Sequence, residues 1–129
     1  MANQFVVQLS NQPGGLATLA EALATRGVDL RAIGGGGIGD LGHIILTTAD
    51  DPATKEVLEA GGYTFIEGES ILAEVDDRPG GMAAIARALA DAGVNIYGHL
   101  FLGRWGDRAM FAFVVDNQAV ARPILERKG

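Results

Sequence analysis

The chain contains no cysteine, a single tryptophan and few basic residues, 10 against 16 acidic ones. Without cysteine there is no disulfide framework and no thiol chemistry. The formal net charge of -6 argues against nucleic acid or an anionic membrane as a partner, because both attract basic surfaces. No apolar run reaches the length of about 18 residues that a membrane helix needs, and no signal-like segment is present. These absences predict a cytoplasmic protein.

What the chain does contain is an internal repeat. Residues 13–28 read PGGLATLAEALATRGV and residues 79–94 read PGGMAAIARALADAGV, with ten of the sixteen positions identical. The same offset of 66 residues continues without a gap to three further pairs: Leu30 with Ile96, Asp50 with Asp116, and Asp51 with Asn117. The sequence therefore predicts two copies of one small unit, residues 1–69 and residues 70–129.

Apolar spacing and turn residues predict six elements in the first copy. Leucines at helical spacing, followed by Gly27, define the first helix, and Asp50 followed by Pro52 indicates the start of the second. The expected elements are strands at 5–9, 28–33, 43–48 and 63–66, with helices from Leu16 to the turn before Gly27 and over 53–60.

The second copy repeats this order but has no final strand. Its expected elements are strands at 71–75, 94–102 and 109–115, with helices at 81–91 and 118–127. The pattern predicts an α+β fold of two ferredoxin-like units in tandem, with helices on one face of an antiparallel sheet. The missing strand leaves the edge of 71–75 open, and the strand at 109–115 is apolar on both faces. These two features predict a homodimer.

Each copy places a polar residue, one spacer and Pro-Gly-Gly between its first strand and its first helix, from Asn11 to Gly15 and from Asp77 to Gly81. Glycine allows close approach of the backbone, and the N–H groups at a helix start attract a carboxylate or a phosphate. Each turn is therefore a candidate anion site. Pro-Gly can equally shape a tight turn and start a helix without binding anything.

The complete pattern is a strand followed by [N/D]-x-P-G-G-[L/M], an apolar helix, and G-V-[D/N]-[L/I] leading into the second strand. It resembles the ACT domain family, in both copies and over nearly the whole chain. The resemblance implies an allosteric regulatory module that holds a free amino acid between two paired units, with the ligand carboxylate on the amides after the Pro-Gly turn. It implies ligand contacts from Asn11, Pro13, Gly14, Gly15, Leu16, Asp29 and Leu30 in the first copy, and from Asp77, Gly80, Gly81, Met82, Asn95 and Ile96 in the second.

In the ACT arrangement the turn residue of one unit works with the residue that leads into the second strand of its partner. Pairing of the two copies brings Asn11 toward Asn95 and Asp77 toward Asp29. An amide pair can donate to a carboxylate and accept from an ammonium group, whereas two carboxylates repel each other. We expect Asn11 and Asn95 to form the principal site, and the acidic pair to form a weak, cation-selective or empty one. If like copies pair across a dimer, each site mixes Asn with Asp.

Three other features are weaker candidates for a site. Residues 34–39 (GGGGIG) match G-x-G-x-x-G but lead into a strand, so a hairpin tip or bulge, or a flap over a ligand, is favoured over a dinucleotide site. His43 and His99 lack neighbours at ligand spacing and are expected to face solvent or an interface. Arg104 and Trp105 precede a predicted turn, and an exposed hairpin tip is favoured there over a ligand-stacking role.

Two classes of function follow from these observations. The first is a regulatory protein whose amino-acid ligand alters its assembly or its contact with a metabolic enzyme. The second is an interaction or scaffold protein that kept the fold and lost the ligand. No enzymatic activity, metal or cofactor is predicted, because the sequence offers no catalytic or ligating constellation.

Overall fold

The computed structural model describes residues 3–126, and the contacts between residues divide that range into two compact units. Unit 1 ends at Glu69 and unit 2 begins at Ser70. Each unit has a hydrophobic core cluster of its own. Within residues 3–126 no helix is long and apolar enough to cross a membrane.

Unit 1 is one antiparallel sheet with two helices on one face. Its elements are β1 Asn3–Ser10, α1 Gly15–Thr25, β2 Leu30–Ile38, β3 Leu41–Thr48, α2 Asp51–Ala60 and β4 Thr64–Glu69. The strands lie in the order β2-β3-β1-β4. Leu19 and Leu23 of α1 and Leu58 of α2 pack on alternate residues of β1 and β3, which are Phe5, Val7, Leu9, Ile44 and Leu46. The burial of alternate strand residues is what places both helices on the same face.

Unit 2 repeats this arrangement with one strand fewer. Its elements are β5 Ile71–Asp76, α3 Gly81–Asp91, β6 Ile96–Trp105, β7 Arg108–Val115 and α4 Gln118–Leu125. The strands lie in the order β5-β7-β6, and within the described range no strand pairs with the other edge of β5. The core joins the helices to the sheet through Leu89, Ala121 and Leu125 on one side and Ile71, Ala73, Phe113 and Val115 on the other. The predicted tandem α+β fold with an incomplete second unit is confirmed.

Strand β7 is buried on both faces, as its sequence predicts. Phe113 and Val115 belong to the core beneath the helices, and Ala112 and Val114, whose side chains point to the opposite face, are equally inaccessible. A strand with apolar residues at every position is stable only where neither face meets water.

The predicted ends of several elements differ from those observed. Helix α3 spans the predicted residues 81–91, whereas β6 runs to Trp105 and not to residue 102. Helix α4 ends at Leu125, and residue 127, its predicted end, lies outside the described range. Element ends are the positions at which backbone pairing, which the sequence does not display, decides the outcome.

The offset between equivalent residues changes from 66 to 67 within the second strand of each unit. Gly27 and Gly93 follow the first helices with similar positive φ and are 66 residues apart, but the hairpin tips begin at Gly39 and Gly106, which are 67 apart. A register shift in β6 that has no counterpart in β2 absorbs the extra residue, Leu102. This is a β-bulge, in which two residues of one strand face a single residue of its neighbour.

The second helices confirm the longer offset. Asp50 accepts a hydrogen bond from the N–H of Ala53 at 3.0 Å, and Asn117 accepts one from the N–H of Val120 at 3.2 Å, so these two residues are the equivalent helix caps. The prediction that the 66-residue offset continues without a gap and pairs Asp50 with Asp116 is therefore wrong. The bulge explains the error, because a one-residue insertion leaves the helical repeat before it unchanged.

Most of the glycine-rich segment is a strand, and the expected hairpin tip is limited to its last residue, Gly39. Residues 34–37 lie in β2 and pair with residues 42–45 of β3, and the tip follows at Gly39 and Asp40. A β-carbon on Gly35 would collide with the carbonyl oxygen of His43, so only glycine fits there. Pairing with β3, which is rich in apolar and β-branched residues, outweighs the poor strand propensity of glycine.

We expect Gly35→Ala to lower the free energy of unfolding by about 2 kcal/mol, because the new methyl group must displace the β3 backbone. Gly36→Ala is the matched control, since a β-carbon there has no neighbour within 4 Å. The control should change stability by no more than about 0.5 kcal/mol. Urea unfolding of both variants measures the difference, and equal losses would contradict the close approach.

Candidate functional site

The two Pro-Gly-Gly turns have the same backbone geometry. Gly14 and Gly80 are the helix caps, with φ of +91° and +88°, in the left-handed region that favours glycine. The glycine that follows is constrained differently. A β-carbon on Gly15 would lie 2.9 Å from the carbonyl oxygen of Ser10, and one on Gly81 would collide with the carbonyl oxygen of Asp76. Both glycines of each turn are thus required by the fold itself.

The start of each first helix presents backbone N–H groups without an internal partner. Among the described residues, the N–H groups of Leu16 and Ala17 in unit 1 and of Met82 and Ala83 in unit 2 donate to no other group. No side chain caps either helix. The helix dipole adds partial positive charge at the same place, so each turn can accept an anion.

A cavity of about 460 Å³ lies beside the turn of unit 1. Asn11 and Leu16 line it from the turn, and Ile33, residues 34–37 and His43 line it from β2 and β3. No carboxylate, lysine or arginine is among its lining residues. Because residues 34–37 are glycines, one wall of the cavity is bare backbone.

The turn glycines border a second, smaller space. Pro13, Gly14 and Gly15 line a cavity of about 260 Å³ together with Thr18 and Tyr63. The predicted site residues of this turn are therefore divided between two neighbouring cavities, and the larger one contains Asn11 and Leu16.

Asn11 ties the turn of unit 1 to the tip of the β2–β3 hairpin. Its backbone N–H donates to the carbonyl of Asp40 at 2.9 Å, and its side-chain Nδ2 donates to the carbonyl of Gly39 at 2.9 Å. A β-carbon on Gly37 would lie 2.6 Å from Cγ of Asn11, so this glycine provides the space that the amide occupies. Oδ1 of Asn11 has no hydrogen-bond partner among the described residues and can accept one from a ligand.

The turn of unit 2 carries the same backbone bond but different side-chain partners. The N–H of Asp77 donates to the carbonyl of Asp107 at 2.8 Å, and its Oδ2 accepts from Nε of Arg104 at 2.8 Å. The Arg104 guanidinium also lies 4.9 Å from the ring centroid of Phe101. The adjoining cavity, about 350 Å³, is lined by charged residues, among them Asp76 and Arg78.

The residues that lead into the second strands lie at the far end of each sheet from the turn. Ser10 pairs with Leu41, and Leu30, next to Asp29, pairs with Thr48, so about 23 Å of strand separate Asn11 from Asp29. Asp29 lies 3.4 Å from Arg31, as measured between Oδ2 and Nε. In unit 2, Asn95 and Ile96 occupy the corresponding end, where the N–H of Asn95 donates to Asp116. No single unit therefore joins a turn residue to its predicted partner.

Sequence reasoning missed two features of these sites. His43 is exposed, as expected, but it also lines the larger cavity of unit 1, because strand pairing sets it opposite Gly36. Arg104 and Trp105 are both exposed beside the hairpin tip, as expected, but Arg104 also donates a hydrogen bond to Asp77. His99 is exposed on β6. Within residues 3–126 no three histidine or carboxylate side chains form a group that could hold a metal ion.

No family model matches the sequence, and a search of curated proteins finds no match. Solved structures of low sequence identity share the fold. A protein from Bacteroides thetaiotaomicron aligns with a TM-score of 0.73 and 20% identity, over 97% of this chain and 86% of that chain. The ligand-free regulatory subunit of aspartate kinase from Thermus thermophilus gives 0.61 and 21%, over 97% and 91%. The corresponding subunit from Thermus flavus gives 0.67 and 17%, over 98% and 92%.

These neighbours confirm the resemblance at the level of the fold. The chain has the tandem α+β architecture of these proteins, and two of the three proteins named are regulatory subunits of an enzyme. Their similarity extends over nearly the whole length of both partners.

The positive φ of the turn caps predicts how substitutions there behave. Gly14→Ala should lower the free energy of unfolding by about 1 kcal/mol, since a β-carbon is strained in the left-handed region. Gly14→Asn should cost less, because asparagine adopts this region more readily than alanine. Gly80→Ala and Gly80→Asn repeat the comparison in unit 2. Chemical denaturation measures all four, and an alanine variant as stable as the asparagine variant would disprove the strain.

Proposed function

We propose that the chain is a non-catalytic, cytoplasmic regulatory protein that binds a free amino acid at the turn of unit 1, and that the ligand alters its contact with a metabolic enzyme. The observation that supports this proposal is the cavity of about 460 Å³, which adjoins the unpaired Oδ1 of Asn11 and the uncapped start of α1. Its size lies in the range of small-molecule sites. The shared fold with regulatory subunits of aspartate kinase supports a regulatory role.

In this proposal each group of the amino acid meets a matching feature of unit 1. The carboxylate takes the N–H groups of Leu16 and Ala17, which have no other partner among the described residues. The ammonium group donates to Oδ1 of Asn11, and the side chain lies against Leu16 and Ile33. Because no carboxylate, lysine or arginine lines the cavity, a charged ligand side chain would find no partner of opposite charge there. We therefore propose an amino acid with an uncharged side chain.

The full site requires a contribution from a second unit. Asn11 and Asp29 lie at opposite ends of their own sheet, so a ligand that contacts both kinds of residue needs them from two units. Asn95 is the partner that keeps the site uncharged, and Asp29 is the partner if like units pair across a dimer. Ile96 adjoins Asn95 and Leu30 adjoins Asp29, so either partner brings an apolar residue to the site.

A second candidate function is that of an interaction or scaffold protein without a ligand. It is favoured by the finding that both glycines of each Pro-Gly-Gly turn are required by the fold. The repeated motif alone is therefore no argument for binding.

A thermal-shift screen with the twenty proteinogenic amino acids separates the two functions. Binding to the folded state raises the melting temperature, so at least one amino acid with an uncharged side chain should do so. Its amide or ester should have no comparable effect, because it lacks the carboxylate that the helix start attracts. No shift with any of the twenty favours the scaffold, and an equal shift with the amide contradicts the proposed geometry.

Substitution of Asn11 tests the ammonium contact directly. By calorimetry, Asn11→Ala should weaken the binding of the amino acid found in the screen by at least about tenfold, since the ammonium group loses its hydrogen-bond acceptor. Asp77→Ala at the equivalent position of unit 2 is the matched control and should change affinity by no more than a few-fold. Circular dichroism checks that both variants are folded. Equal losses would show that Asn11 has no special role.

We also propose that the chain is a homodimer, because β5 has an unpaired edge within the described range. Sedimentation equilibrium should give twice the chain mass of 13.4 kDa. Along β5, adjacent N–H groups point alternately toward β7 and away from it, so one of Leu72→Pro and Ala73→Pro removes only an outward N–H. That variant should remain folded and become monomeric if a second chain pairs with this edge. A wild-type monomer at micromolar concentration would contradict the proposal.

A further inference from the structure

The two hairpins differ at the position that faces the turn. Gly37 is the second residue before the tip of the β2–β3 hairpin, and Arg104 is the second residue before the tip of the β6–β7 hairpin. Strand pairing supports this equivalence, because Gly37 pairs with Gly42 and Arg104 pairs with Ala109 at matching distances from each tip. A glycine in unit 1 is thus replaced by a cation in unit 2.

The cation is held in place by two contacts. Nε of Arg104 donates to Oδ2 of Asp77, and its guanidinium lies over the ring of Phe101. Phe101 is itself equivalent to Gly35, since the two pair with Phe111 and Ile44 at the same distance from the tips. Unit 1 therefore lacks both the cation and the ring that supports it.

The two other arginines near Asp77 are already paired with Asp76. Arg78 donates to Oδ2 of Asp76, and Arg108 binds Oδ1 of the same carboxylate. Among the described residues, Arg104 is the cation that pairs with Asp77. Removal of Arg104 would leave the Asp77 carboxylate available to an ammonium group.

We propose that Arg104 is an internal competitor for the ligand's ammonium group, so that the Asp77 carboxylate in the turn of unit 2 stays paired and the chain binds one amino acid and not two. This inference rests on the proposed function. The side chains of Arg104 and Asp77 are 61% and 32% exposed, so the ion pair is weak as an isolated contact. It competes effectively because Arg104 is tethered, at an effective concentration on the order of millimolar. A free amino acid at lower concentration does not displace it.

The test is the number of amino acids bound per chain, measured by isothermal titration calorimetry with each of the twenty proteinogenic amino acids alone. The wild type should bind one amino acid per chain. Arg104→Ala should bind a second one at the turn of unit 2, with an affinity at least about tenfold higher than that of the same site in the wild type. Arg104→Lys keeps the cation and should still bind one. Arg87→Ala removes an arginine that pairs with Asp91 on α3 and serves as the control, which should also bind one.

The outcomes separate this inference from the proposed function. One site in both the wild type and Arg104→Ala overturns the inference and leaves the function standing, as do two sites in the wild type. No binding by the wild type together with one site in Arg104→Ala supports the inference and contradicts the site in unit 1. No binding by either protein overturns both.

Discussion

The contact between the second turn glycine and the last carbonyl of the preceding strand controls the rest of each unit. Gly15 lies against Ser10 and Gly81 lies against Asp76 so closely that no side chain fits between them. This contact fixes where the first helix starts relative to the sheet, and so which leucines, Leu19 and Leu89 among them, reach the core. The next N–H groups, those of Leu16 and Ala17 in unit 1 and of Met82 and Ala83 in unit 2, have no partner among the described residues. Packing and the candidate site therefore depend on the same few backbone atoms.

Duplication has produced two units with one backbone plan and different site chemistry. The cavity of unit 1 has uncharged walls, and the amide of Asn11 is held by the hairpin tip. In unit 2 the carboxylate of Asp77 is held by an arginine of the same hairpin, and neighbouring charges neutralise one another. The acidic character that the sequence assigns to Asp77 and Asp29 is thus offset within each unit, by Arg104 and Arg31.

Much of the fold could be predicted from the sequence because local and tertiary signals agree there. Helix α3 has apolar residues at helical spacing and a glycine after its last turn, and its observed ends are those predicted. The strand conformation of residues 34–37 could not be predicted, since glycine has a low strand propensity and only pairing with β3 makes this segment a strand. The insertion of Leu102 and the ion pair of Arg104 could not be predicted either. Both depend on strand register, which the spacing of residues along one chain does not reveal.

The bare backbone wall of unit 1 restricts how its selectivity can evolve. Residues 34–37 have no side chains that mutation could shorten or exchange, so every substitution there adds volume. At Gly36, where a β-carbon meets no neighbour, such a change reduces the space for a ligand, and at Gly35 it disturbs the sheet first. This wall can therefore be adjusted in one direction only, toward smaller ligands. Leu16 and His43, which also line the cavity, are positions where the site can change in either direction.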